Sequence, residues 1–350
     1  MTRKGHFLIM NYKTGFLGLL IGALLLQSSW AVKLAGFKTE PYYGEQVKTL
    51  TLDSGVRVMI DAPADKDFNP RHPTRLIYFS LPNGNTLEQT WGKKLREGTD
   101  WHYDIQHIGA QTRLLRKRAP QINWVVAIME APGKSWPAWG KTHSEEPTAI
   151  PIMIKEIAKP FAKYSPAKIL SSHSGGGSLW LRYLQNTPKL PKDIQQIIFL
   201  DSIYNYSREA QHPQILTRWL NQNKTNTLAV ISYDDRNVLF NGKPIVSATG
   251  GTWRRTAELA EDMGKTFSLT STDSESYLHY QEPKGQIDLI FLKNPNLKIL
   301  HTTLVGEMSG YGYTLSLNLP KSNTPVSFQE TPIPWKEFIQ PEEYQFMDYL

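Results

Sequence analysis

The chain contains no cysteine in 350 residues. Disulfides, cysteine-bound zinc, iron–sulfur clusters and a thiolate nucleophile are therefore excluded. A long hydrophobic run is also missing. The apolar stretch Phe16 to Leu26 has 11 residues, against the ~20 that a membrane-spanning helix needs. No tandem repeat or long low-complexity segment is present, and neither is an H-E-x-x-H motif. His102 and His107 stand five apart, where two ligands on one helix face stand four apart. Metal catalysis is not expected, and no cofactor is implied.

What is present can fold. Hydrophobic residues make up 40% of the chain and charged residues 20%, a balance that excludes wholesale disorder. The length leaves room for two domains, but α/β folds of this size are often single units.

The first residues read as a secretory leader. Arg3, Lys4 and Lys13 precede the apolar run, and Gln27-Ser-Ser-Trp-Ala31 follows it. This order of basic, apolar and small-residue segments is that of a signal peptide, cleaved here after Ala31. The expectation is a leader over 1–31 and a single catalytic domain over 32–350, with a C-terminal extension from about 310. Retention of the leader as an anchor is the alternative. An exported chain without disulfides suits a bacterial periplasm or exterior.

Removing the leader's three basic residues lowers the formal charge from +7 to +4. The one dense basic run, Arg113-Leu-Leu-Arg-Lys-Arg118, falls where a helix ends, and cations suit that end. No nucleic-acid partner is expected, and association with an anionic envelope would be weak. Arg113 is placed to pair with a core carboxylate.

Along the chain, short apolar strands alternate with helices of about ten residues. Residues 46–60 read as an antiparallel hairpin around Asp53-Ser-Gly55. Strands are expected at 76–80, 124–129, 168–172, 196–200 and 227–232. Helices are expected at 104–118, 151–164, from 177, 214–220 and 253–263, with Pro160 ending or kinking the second. Beyond these come a strand at 266–270, a short helix at 286–292, and strands at 297–301 and 313–319. This alternation predicts an α/β three-layer sandwich, with a mostly parallel sheet and an antiparallel N-terminal hairpin.

Chemistry concentrates at one turn. Strand 168–172 runs into His173-Ser174-Gly-Gly-Gly177, and a helix follows. Strand, sharp turn and helix form the setting of a nucleophile elbow, whose usual pattern is G-x-S-x-G. Here Ser172 replaces the first glycine, a mild departure since serine is small. An anion-binding turn is the alternative, but the lysine and spacing of phosphate loops are missing. Ser174 is the candidate nucleophile. The Gly175 amide is a candidate oxyanion donor.

With Pro82-Asn-Gly-Asn-Thr86, Ala110-Gln-Thr-Arg113 and Ser172-His-Ser-Gly-Gly-Gly177, residues 46–310 resemble the α/β-hydrolase superfamily, and within it a group of exported bacterial members. The resemblance implies an eight-stranded sheet, hydrolysis without cofactor, and the chain order nucleophile, acid, histidine. His301, expected at a strand end, is then the candidate base, with His279 a weaker one. His173 flanks the nucleophile and shapes the elbow. Asp201 and Asp235 (with its neighbour Asp234) both qualify as the acid. The superfamily more often uses the later strand, which favours the second pair. Asp201 ranks slightly ahead because it directly ends an apolar run. A second oxyanion donor is expected in Asn83–Thr86, with Gly84 and Asn85 preferred. Trp136, Trp139 and Tyr204 are candidate pocket walls.

The expected activity is serine-dependent cleavage of an ester, from a small molecule or a polymer, through an acyl-enzyme. The alternatives are an amidase or peptidase on cell-wall or peptide material, and a noncatalytic protein binding envelope glycan or peptide.

Overall fold

The central strands divide their side chains between two buried faces. Leu76 and Tyr78 join one apolar cluster, while Ile77 and Phe79 join another. Val125, Ala127 and Met129 part from Trp124, Val126 and Ile128 in the same way. A sheet buried on both sides must be covered by helices on both sides. The computed structural model has this architecture; it describes residues 1–2, 31–320 and 322–341. Residues 3–30 of the expected leader, with its apolar run, lie outside the described residues.

In chain order the strands are β1 (Lys38–Thr39), β2 (Gln46–Thr51), β3 (Arg57–Ala62), β4 (Thr74–Ser80), β5 (Asn123–Glu130), β6 (Ala167–His173), β7 (Ile194–Leu200), β8 (Thr227–Tyr233), the small pair β9 (Leu239–Phe240) and β10 (Lys243–Pro244), β11 (Thr270–Asp273), β12 (Tyr277–Gln281) and β13 (Ile287–Leu292). The main sheet has the order β1-β2-β3-β5-β4-β6-β7-β8-β13-β12-β11. Strands β5, β4, β6, β7, β8 and β13 are mutually parallel neighbours. The hairpin β2–β3 joins them antiparallel through β3 and β5, and β12 and β11 extend the other edge antiparallel. Among the described residues this sheet has eleven strands, three more than the resemblance implied.

The helices are α1 (Leu87–Trp91), α2 (Ile108–Arg118), α3 (Trp136–Thr142), α4 (Ala149–Ala158), α5 (Gly177–Asn186), α6 (His212–Gln222), α7 (Thr252–Gly264) and α8 (Gly310–Ser316). Helices α3 to α7 cover one face; α1, α2, α8 and the tail carrying Val326 and Trp335 cover the other. The α6 pattern Ile215, Leu216, Trp219 and Leu220 is a single buried stripe. Helix α4 ends at Ala158, and a tighter helical turn at Lys159–Tyr164 carries Pro160. No helix among the described residues is long and apolar enough to cross a membrane.

Four expectations fail in the last third. Residues 286–292 hold a strand, β13, not a helix, because every residue of Ile287–Leu292 is buried beside β8. A short apolar run does not distinguish the two states. With that place taken, 297–301 has no strand to pair with and forms an irregular loop, leaving Leu297 and Ile299 exposed. Asn294 holds this loop: its amide donates to the Asp234 and Lys298 carbonyls. Residues 313–319 begin inside a helix, α8, which buries Tyr311 and Leu315. The strand expected at 266–270 lies a few residues later, as β11.

The basic run of α2 is consumed within the fold. Arg113 and Arg116 both reach Glu45, at 2.7 and 2.6 Å, and Arg116 also meets Asp61. Arg118 pairs with Glu330 in the tail, and Lys117 with Glu337. Burial pushes the Glu45 carboxyl up, but the two arginines outweigh it and hold it below its ordinary value.

Candidate active site

Parallel strands bring their carboxyl ends to one edge of the sheet, the usual ligand edge of open α/β folds. Strand β6 ends there at His173. The next residue, Ser174, has φ 55°, in the left-handed region that a β-carbon disfavours. A helical turn then leads straight into α5. The glycines after Ser174 are set by close approach. A β-carbon on Gly176 would collide with the Ser80 carbonyl, and one on Gly177 with the Ser202 carbonyl. Ser172 is small for a related reason: its hydroxyl lies 2.8 Å from that of Ser202. This bond ties the elbow to the residue after Asp201.

Asp201 follows β7 directly, fully buried and itself at φ 45°. It accepts two side-chain hydrogen bonds. One comes from the Thr252 hydroxyl at the start of α7, the other from His301 Nδ1 at 2.5 Å. His301 lies in the loop after β13, with 24% of its side chain exposed. With Nδ1 donating to Asp201, Nε2 of the neutral ring is left as an acceptor. Among the described residues the Ser174 hydroxyl has no hydrogen-bond partner, His301 included. Such contacts often tighten only with substrate bound.

His173 anchors that loop from below. Its Nε2 lies 2.9 Å from the His301 carbonyl, and the two rings stand 4.5 Å apart. A carbonyl only accepts, so Nε2 carries the proton. Burial, with His301 alongside, holds His173 well below the ordinary histidine value and keeps it neutral. Nδ1 must then accept. Its neighbour at 3.0 Å is the Gln106 amide, whose Nε2 is otherwise buried without a partner. Turning that amide end for end satisfies both groups.

Asp235 sits beside Asp201, not at His301. Its Oδ2 accepts from the Thr252 amide at 2.8 Å, while its Oδ1 is buried without a partner. Burial and the charge of Asp201 push its carboxyl up to about 6. Asp234 is turned to Arg236, at 2.7 Å. Tyr204, half-buried, completes this corner; burial and both carboxylates push its phenol well above the ordinary value. His279 is on β12, paired with Asp288 at 2.9 Å, and does not meet Ser174 or either acid.

The oxyanion expectation needs one correction. The Gly84 amide donates to the Lys134 carbonyl at 2.9 Å, so it is not free for an oxyanion. The Thr86 amide is likewise spent, on Gln89 in a capping box. The group lying against Gly175 is the Asn83 side chain. Its Oδ1 accepts from the Trp136 amide at 3.3 Å, which leaves Nδ2 as a donor. Asn85 is buried, and its Nδ2 has no partner. The Gly175 amide opens a helical run, where the first amides lack intrahelical acceptors.

The tryptophans also stand elsewhere than expected. Trp136 and Trp139 are buried against each other in the core, centroids 5.8 Å apart, with Trp139 Nε1 donating to the Ser54 carbonyl. They support α3 and do not form an open wall. Among the described residues, no group of side chains is arranged to hold a metal.

Thr252 and Gln106 were not foreseen. Thr252 opens a helical stretch after Gly250-Gly251, and nothing local marks its contact with two acids. Gln106 lies between His102 and Arg113 with no motif of its own.

No protein-family model matches the chain, and no curated protein matches it. Solved structures to which the chain is similar include a thermostable esterase at 16% identity and TM-score 0.39, covering 80% of this chain, which spans 58% of that one. An acetyl xylan esterase from Aspergillus awamori matches at 10% identity and TM-score 0.40, covering 71% of this chain and 92% of its own. The dipeptidyl peptidase 4 of Porphyromonas gingivalis matches at 12% and 0.38, over 81% of this chain and 36% of its own. Values this low say nothing about what this chain does. Its architecture stands on its own strand order and connections.

Proposed function

We propose that this chain is a serine hydrolase that cleaves a carboxylic ester through an acyl-enzyme. The observation that carries the reading is the His301 Nδ1–Asp201 Oδ2 hydrogen bond at the sheet edge where Ser174 takes a left-handed turn. The order along the chain, Ser174, Asp201, His301, is the one that the resemblance to the α/β-hydrolase superfamily implies.

In this reading His301 Nε2 takes the Ser174 proton as Oγ attacks the carbonyl carbon. Asp201 orients the ring and stabilises the imidazolium. The Gly175 amide and Asn83 Nδ2 hold the oxyanion. The tetrahedral adduct collapses, the C–O bond to the alcohol breaks, and His301 returns the proton to the leaving oxygen. Water then attacks the acyl-serine by the same route and releases the acid. Esters are favoured over amides as the first class to test. We further propose that the chain is exported, with cleavage after Ala31.

A noncatalytic binding protein is the second reading, favoured by the unpartnered Ser174 hydroxyl. The two part on one measurement: intact mass after exposure to a fluorophosphonate. A hydrolase gains one adduct, lost in Ser174→Ala and slowed in His301→Ala. No adduct on folded protein favours the binding reading. The mass of chain recovered from outside the cell tests cleavage after Ala31.

A further inference from the structure

Two buried carboxylates share the corner behind His301, and the donors around them are unequally divided. Asp201 accepts from His301 Nδ1 on Oδ2, at 2.5 Å, and from the Thr252 hydroxyl on Oδ1. Both of its oxygens are answered. Asp235 accepts from the Thr252 amide on Oδ2, at 2.8 Å, and its Oδ1 is buried without a partner. The Gly251 backbone closes the space beside that carboxyl, since a β-carbon there would stand 2.6 Å from each oxygen.

Among the described residues, Thr252 alone bonds both acids. It is fully buried and opens α7. A hydroxyl has one proton to donate. Asp201 Oδ1 receives it, while Asp235 Oδ2 stands 3.5 Å from the same oxygen.

Four other titratable or charged groups face the pair: the Tyr204 phenol after β7, the Tyr233 phenol at the end of β8, Arg236 beyond it, and Arg254 on α7. Burial and the two acids hold both phenols above their ordinary value, so they stay neutral. Arg236 is paired with Asp234, and Arg254 donates to the Gly250 carbonyl at 2.8 Å. Among the described residues, no arginine or lysine bonds either carboxylate.

Two adjacent buried charges repel, and such a pair takes up its protons in separate steps. The carboxylate with more donors keeps its charge, and the one with an unanswered oxygen takes the first proton. We propose that Thr252 is a positioning residue whose hydroxyl holds the negative charge of this pair on Asp201 and leaves the proton to Asp235. The upward push that burial and Asp201 give the Asp235 carboxyl, to about 6, agrees with this division. Its catalytic consequence rests on the hydrolase reading. A proton on Asp201 Oδ2 would be donated to His301 Nδ1. The imidazole proton would then lie on Nε2, and the ring would have no lone pair for the Ser174 proton.

The test is a carbon-13 titration of the aspartate carboxyls in the full chain, with signals assigned by their loss in Asp201→Asn and Asp235→Asn. In wild type the Asp235 carbon should move with a midpoint at about 6, while the Asp201 carbon keeps its ionised position. Thr252→Val removes the hydroxyl and keeps the amide bond to Asp235; both carbons should then move together. Fluorophosphonate labelling reads the same change. Thr252→Val should be slower than wild type by about tenfold or more at about pH 5.5, and by less than about threefold at about pH 8.5, where both acids are ionised. Thr252→Ser keeps the hydroxyl and should stay within about threefold at both. The wild-type titration decides the charge even if Thr252→Val folds poorly. A titrating Asp201 carbon in wild type, an unchanged titration in Thr252→Val, or a labelling deficit equal at both pH values would overturn the proposal. A wild type that titrates as expected but gains no phosphonate adduct supports the division of charge and counts against the hydrolase reading alone.

Discussion

His301 Nδ1 and Asp201 Oδ2 stand 2.5 Å apart across one hundred residues of chain. Asp235, the acid that the later strand supplies, is instead bonded to the Thr252 amide. Two buried carboxylates thus share one corner with different partners. The following outcomes are expected.

Asp201→Asn removes the charge that orients His301 and stabilises its protonated form. Phosphonate labelling of Ser174 should slow by about a thousandfold or more. Asp235→Asn leaves the His301 bond in place and should cost less than about tenfold. Labelling rates of the two variants, with circular dichroism to establish folding, decide between them. Equal losses would remove the distinction between the two acids.

Asp235 also makes a stability prediction. Its carboxyl is raised from 3.8 to about 6, first by burial and then by Asp201. The fold therefore favours the protonated form. That contribution is complete below about pH 4 and is lost as pH rises through about 6. Relative to Asp235→Asn, wild type should lose roughly 3 kcal/mol between pH 4 and 8. Denaturant midpoints of both proteins across that range measure it, and parallel curves would contradict it.

Gly176→Ala and Gly177→Ala each push a methyl group into a backbone carbonyl, of Ser80 and Ser202 respectively. Neither carbonyl can swing aside as a flexible side chain would. Each variant should lose about 3 kcal/mol or more, or fail to fold. Thermal melts beside Gly264→Ala provide the control, since a β-carbon there meets nothing within 4 Å.

Glu45 is the shared partner of Arg113 and Arg116. Glu45→Gln leaves two guanidinium groups facing a neutral amide in a buried setting, with Asp61 the remaining acid. The expected loss is about 3–5 kcal/mol in urea unfolding. A loss below about 1 kcal/mol would mean that Asp61 takes over the pairing.

Gln106→Leu removes the group that faces His173 Nδ1, while the ring keeps its bond to the His301 carbonyl. The loop that carries His301 loses one support. Labelling of Ser174 should slow by about tenfold with little change in melting temperature. Restoration by Gln106→Asn would point to the amide and not to packing.

Much of the fold was legible because its signals are local. Alternation of polar and apolar residues marks the β2–β3 hairpin, short apolar runs mark β4 to β8, and the run Ser174-Gly-Gly-Gly177 marks a strand-to-helix turn. Where local signals tie, the reading failed. Ile287–Leu292 has the composition of either a buried strand or a buried helix, and Lys298–His301 has the composition of a strand. Only the vacancy beside β8 decides, and β13 fills it. Chain order singled out His301 as the candidate base, although 297–301, expected as the strand that carries it, is a loop.

The sequence by itself determined the alternation of strands and helices through β8, the strand-to-helix turn at Ser174, and the absence of thiol chemistry, since these depend on residue identity and on neighbours within a few residues. Tertiary structure alone decided which aspartate faces His301, that Gly84 spends its amide on Lys134, that Asn83 lies on Gly175, and that Thr252 joins two acids. Those contacts follow from strand order, in which β7 and β13 flank β8. Strand order is set by how the whole chain buries its two apolar faces, and no short stretch of residues carries it.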